Sequence, residues 1–143
     1  MYAHRQIWEG KGLATKDVTI ATMRLDKRKV YLPDNPNELY SNMVVALINR
    51  LCSDGIINKL DSIQFVASRR NTSKKLNDDF TESIKHCTND LSFETRIIAP
   101  SNDKCLQAVD FASWALWQKY EFGNETYSDM IAEKIAREYI MYE

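Results

Sequence analysis

Histidine and cysteine are scarce in this chain, with two and three copies among 143 residues. Cys52, Cys87 and Cys105 are odd in number and far apart, so they read as reduced packing residues and not as a disulfide framework. With only His4 and His86 beside them, no zinc-ligand spacing occurs. The four glycines make neither a phosphate-binding loop nor a dinucleotide fingerprint, and no serine stands in a nucleophile elbow. No apolar run approaches the ~18 residues that span a bilayer, and Met1 to Lys11 lacks the apolar centre of a signal peptide. A cytoplasmic protein with no membrane partner is therefore expected. Nor does one sign of charge dominate: 19 basic and 20 acidic residues leave a formal net charge of -1, so any binding to nucleic acid has to be local.

What is present is enough for one core. A hydrophobic content of 44% in a chain of this length suits a single α/β domain over residues 17–143, preceded by an arm or remnant over residues 1–16 that holds Trp8, Gly10 and Gly12. The β-branched run from Val18 predicts a strand reaching about Leu25, and Val30 to Leu32 a short one before Pro33 and Pro36. Asn37 is a plausible cap for a helix carrying Leu39, Met43, Ala46, Leu47 and Leu51, which should stop near Ser53 to Gly55. Ile63, Phe65 and Val66 predict a second strand. Thr72 or Ser73 would cap a helix with Leu76, Phe80 and Ile84 on one stripe. A third strand spans Leu91 to Ala99. Ser101 or Asn102 would then cap a long helix through about Tyr120, which Gly123 allows to end, and a last helix is expected from Thr126 to Tyr139. Strands alternating with helices favour a mixed sheet flanked by helices, with some parallel pairing. Three firm strands are few for such a sheet, so a partner subunit or an unusual edge is expected to complete it.

The long helix is the most informative element. From Leu106 to Trp117 it is apolar on nearly every side, which marks a core or interface helix, and Asp110 lies within it. Burying a lone carboxylate costs several kcal/mol, as an order of magnitude, unless it is neutralised, paired or bound to metal. Three readings stay open for Asp110: a pair with Arg69, Arg70 or Arg96; a metal ligand or acid/base group in a polar pocket; or a water-facing residue at a break in packing. Gln107, one turn earlier, would orient it. Trp114 and Trp117, three residues apart and expected on one side of the helix, are candidates for a homodimer surface.

Two basic groups end strands. Arg69 and Arg70 follow Ser68, a favourable place for phosphate contacts in an open α/β sheet. Arg24, Lys27, Arg28 and Lys29 form a second patch, with Lys27 and Arg28 as candidate nucleic-acid contacts. Each is also explained by a solvated charged turn.

The segment Ile98, Ala99, Pro100, Ser101 followed by Leu106, Gln107, Ala108, Val109, Asp110, Phe111, Ala112, Ser113, Trp114, Ala115 resembles the C-terminal signature of the DUF3800 family. The resemblance covers about residues 17 to 137. It implies a ribonuclease-H-like fold, here similar to a truncated domain, with Asp110 matching the C-terminal acidic residue of a Mg2+ or Mn2+ site. Ala108 and Val109 exchange the residue types of that signature. The family's opening acidic strand has no counterpart before Val18, so the first carboxylate would come from Asp26 or from a complementing chain. The expected function is nucleic-acid association in a phage, mobile-element or defence setting, as a degenerate or incomplete metal-dependent phosphodiesterase. The alternative is a homodimeric interaction or regulatory module without catalysis.

Overall fold

The computed structural model describes residues 12–13, 15, 17–29, 36–58, 62–69, 73–87 and 92–141. The strand expected at Val30 to Leu32, the anchor Trp8, and Arg70 lie outside the described residues. Contacts divide the chain into two compact units, Met23–Ala99 with Tyr139–Glu143, and Met1–Thr22 with Pro100–Glu138.

The first of these units is built on β2 (Ser62–Ser68), α2 (Lys74–Cys87) and β3 (Ser92–Ile98). The two strands pair in parallel, from Ser62 opposite Ser92 to Ser68 opposite Ile98, and the Arg69 amide extends the ladder to the Ile98 carbonyl at 2.8 Å. Parallel strands need a long crossover, and α2 supplies it. Phe65 and Ala67 alternate onto one face, as the strand period requires, and there meet Phe80 and Ile84 of α2, one helical turn apart. Ile48 of α1 (Pro36–Ser53) closes this core. Tyr40 of the same helix stacks on Phe80 with ring centroids 5.5 Å apart.

Helix α1 begins on Pro36, whose fixed φ and missing N–H suit the first helical position, so its start lies just before Asn37. It ends as the sequence predicts. Gly55 takes φ 74°, its amide donates to the Cys52 carbonyl, and the Ile56 amide reaches back to Leu51 at 3.0 Å, the double bond of a Schellman ending. Tyr139, buried, donates its hydroxyl to Asp54 just past this helix, and the Arg50 guanidinium lies 4.7 Å from the centre of the Tyr139 ring.

The second unit is built around α3 (Lys104–Phe122). A 3-10 turn, Pro100–Asn102, precedes it, so the cap falls at Asp103, one residue after Asn102 and two after Ser101. Asp103 accepts the Leu106 amide at 2.9 Å. At the other end Gly123 adopts φ 66° and its amide donates to the Gln118 and Lys119 carbonyls. Leu13, Phe111, Ala112, Ala115 and Ile131 form the core, with Trp114 and Tyr127 packed against it.

The last stretch corrects the sequence expectation. In place of a helix from Thr126 to Tyr139 there is a four-residue α4 (Ser128–Ile131), a 3-10 turn (Ala132–Lys134), and a strand, β4 (Ile135–Ile140), hydrogen-bonded to β1 (Ile20–Arg24). Helix propensity is a weak prior, and a single turn is too short to sustain itself. Pairing with a distant β-branched strand decides the matter. The chain is thus a small α/β fold of strands flanked by helices, and among the described residues β1 pairs with β4 and β2 pairs in parallel with β3. No helix among the described residues is long and apolar enough to cross a membrane.

Candidate functional site

At 100° per residue, α3 divides into two faces. Ala108, Phe111, Ala112, Ala115 and Ile131 of the neighbouring turn share the core, which fixes one side inward. Val109, Asp110, Ser113, Trp117 and Tyr120 recur at steps of three and four on the opposite side, and all are exposed. Of the three readings open for Asp110, the water-facing one therefore fits, and the two that bury it do not. A helix that is apolar on every side need not be covered on every side, and here the covered side is the one carrying the small residues and Phe111. Asp110 makes no hydrogen bond or ion pair with a described residue of its own unit.

This outward face is unusually apolar for an exposed surface. Val109 keeps 60% of its surface exposed, Trp117 50% and, just beyond, Phe122 65%. The Phe122 ring packs edge-on against Trp117 with centroids 5.0 Å apart, which props the indole on the helix surface. Tyr120 is held at the end of the stripe by its hydroxyl, which donates to Glu138. The two tryptophans do not share an environment. Trp114 turns inward and its ring lies 4.6 Å from that of Tyr127, whereas Trp117 faces out. Of the proposed interface pair, only Trp117 offers its ring to a partner.

Gln107 is half-buried and its side-chain amide donates to the Ser101 carbonyl at 3.5 Å, a bond that ties the helix to the turn before it. Cys105, expected in the core, is exposed in the first turn, because the cap at Asp103 turns that residue outward.

The other candidate carboxylate, Asp26, is occupied. It precedes the 3-10 turn Lys27–Lys29, and Arg28 returns to it with both arms of its guanidinium: Nε reaches Oδ1 at 2.9 Å and a terminal nitrogen reaches Oδ2 at 3.0 Å. The Arg28 amide also donates to Oδ1 at 3.0 Å. These bonds, first the side-chain pair and then the amide, hold the Asp26 carboxyl well below its ordinary 3.8, at about 2. Titration of Asp26 followed by carbon NMR should show that depressed value, and Arg28→Ala should raise it toward 3.8 without reaching it, because the amide of residue 28 still donates to Oδ1. The sign follows from the depressed pKa: the pair's contribution is complete above 3.8 and is lost as pH falls through about 2. Water screens so exposed a pair, so its effect on overall stability is small.

Lys27, Arg28 and Arg69 are all exposed. No group of three histidine, cysteine, aspartate or glutamate side chains able to hold a metal ion comes together among the described residues. No family model, curated protein or solved structure matches the chain. Its function has to be argued from its own surface. One feature of that surface escaped the sequence: the pairing of Asp26 with Arg28, two residues apart and dependent on the 3-10 geometry. The outward stripe did have a signal, since Val109, Ser113, Trp117 and Tyr120 follow helical spacing.

Proposed function

We propose that the chain is a homodimeric protein-interaction module whose contact surface is the outward face of α3. The observation that carries this reading is a pair of complementary, solvent-facing polar groups on one exposed apolar stripe. The Trp117 indole N–H has no acceptor and the Asp110 carboxylate has no donor among the described residues, while Val109 and Trp117 are more than half or half exposed. Asp110 and Trp117 stand seven residues apart, about 10.5 Å along the axis.

An antiparallel pairing of two α3 helices, about a two-fold axis between Ser113 and Trp114, sets Asp110 of one copy opposite Trp117 of the other, and does so twice. Each donor then meets an acceptor, each large indole faces the small Val109 and Ser113 side, and the contact is self-complementary as a two-fold interface requires. A single helix pair lies at the small end of interface sizes, so a dissociation constant of about a micromolar is expected. Sedimentation equilibrium tests the reading: the mass should rise from one chain to two across the micromolar range. A chain that stays monomeric at about 1 mM overturns it.

The order β2, α2, β3 and a following long helix supports the finer reading of the fold as similar to the C-terminal part of a ribonuclease-H-like domain. The proposed dimer contact does not depend on that likeness.

A further inference from the structure

The turn after β1 carries a charge opposite to that of the whole chain. Residues 24 to 29 hold four cations, Arg24, Lys27, Arg28 and Lys29, against the single carboxylate of Asp26, a local balance of +3 in a chain of net charge -1. All four cations are exposed. The turn is also closed in one shape, because the Lys29 amide donates to the Asp26 carbonyl at 3.1 Å while Arg28 grips the Asp26 carboxylate. Lys27 and Lys29 form no ion pair with a described residue. Two lysine charges thus flank an arginine fork that is already filled.

The two-armed grip of Arg28 on Asp26 is the geometry by which guanidinium also takes a phosphate. The side chains holding it are accessible: Arg28 exposes 88% of its side-chain surface and Asp26 29%. An ion pair in water is worth little, so an incoming dianionic or polyanionic group can exchange with the carboxylate at small cost. We propose that this turn binds the phosphate backbone of a single-stranded nucleic acid, with Asp26 acting as a built-in competitor that occupies the Arg28 fork until phosphate displaces it. A nucleic acid suits the site better than a bilayer does. The three residues of the turn are all charged and none can insert among lipid tails, while Leu25 beside them is partly buried.

The test is fluorescence anisotropy of a labelled single-stranded DNA of about 20 nucleotides with the full chain at low salt. Binding should weaken with salt with a log–log slope of about -2 to -3, as expected for three or four phosphates. Asp26→Asn should tighten binding by about fivefold or more, because it removes the carboxylate that competes with phosphate for Arg28. In an Arg28→Ala background the same change should gain less than about twofold, since only a general charge effect remains. Lys27→Glu with Lys29→Glu leaves the Asp26–Arg28 grip intact and should weaken binding by about tenfold or more, which keeps the proposal testable even if Asp26→Asn loosens the turn. Unchanged or weaker binding by a folded Asp26→Asn variant overturns the competitor role. Retention on phosphatidylserine vesicles without binding to the oligonucleotide overturns the nucleic-acid assignment.

Discussion

Replacing Phe111 by Ala should cost the protein about 3–5 kcal/mol, a large part of the ~5–15 kcal/mol that holds a domain of this size folded. Phe111 is 2% exposed and sits among Leu13, Ala112, Ala115 and Ile131. Two of those neighbours are alanines fixed to the same helix, so they cannot move in to fill the space that a ring leaves behind. Trp114, with its ring 6.3 Å from that of Phe111, is already engaged with Tyr127. The cavity therefore stays open, which puts the cost at the upper part of the range for such truncations. Urea unfolding followed by circular dichroism measures it as a lower midpoint with a similar slope. Phe111→Leu, which keeps most of the volume, should lose only about 1–1.5 kcal/mol. If Phe111→Ala shifts the midpoint by the equivalent of less than about 1 kcal/mol, the core has been placed wrongly.

Trp117→Lys should have the opposite profile, with little effect on stability and a large one on association. Half of the indole surface is exposed in one chain, and its remaining ring contact is with Phe122, itself exposed. Folding therefore loses little. In the proposed dimer the same indole supplies the main buried area and the donor to Asp110, and the two-fold axis counts each loss twice. A central aromatic anchor of this kind is worth about 2 kcal/mol or more per site, so with two sites lost the dimer should weaken by about a thousandfold or beyond. Asp110→Asn keeps shape and polarity and should weaken it by about tenfold or less. Sedimentation equilibrium reads both, and urea midpoints equal to wild type show that the fold is intact.

How much of this was legible in the sequence depends on the range of the interaction involved. β2, β3 and the stripe of α2 follow from local period, and both Gly55 and Gly123 end helices where the pattern predicts, because a left-handed residue is a local need. β4 was hidden. Its residues Ile135 to Ile140 carry helix formers beside β formers, and only the backbone of β1, more than a hundred residues earlier, makes the extended form the better one. Of the three readings open for Asp110, its exposed position matches the water-facing one. Apolar residues all round α3 say that several faces can be covered, whereas the choice of face belongs to Leu13, Ile131 and their neighbours. The outward residue Trp117 could be read as an interface candidate from spacing. That Trp114 would not join it depended on Tyr127, thirteen residues further on. The occupation of Asp26 by Arg28 lay beyond any pattern, since two residues apart is not a pairing distance in a regular helix.

The most direct measurement of the central claim is cross-linking at Ser113. In a Cys87→Ser, Cys105→Ser background, which removes the native thiol that is exposed among the described residues together with that of Cys87, a Ser113→Cys variant places one thiol beside the proposed two-fold axis. Helices packed through small residues bring facing Cα atoms close enough for a disulfide, within about 4.4–6.8 Å. Mild oxidation should therefore convert the protein to a covalent dimer, at protein concentrations in the micromolar range and faster than a control variant with the exposed Glu133→Cys. A Ser113→Cys variant that stays monomeric, or that links no faster than the Glu133→Cys control, contradicts the antiparallel pairing of α3.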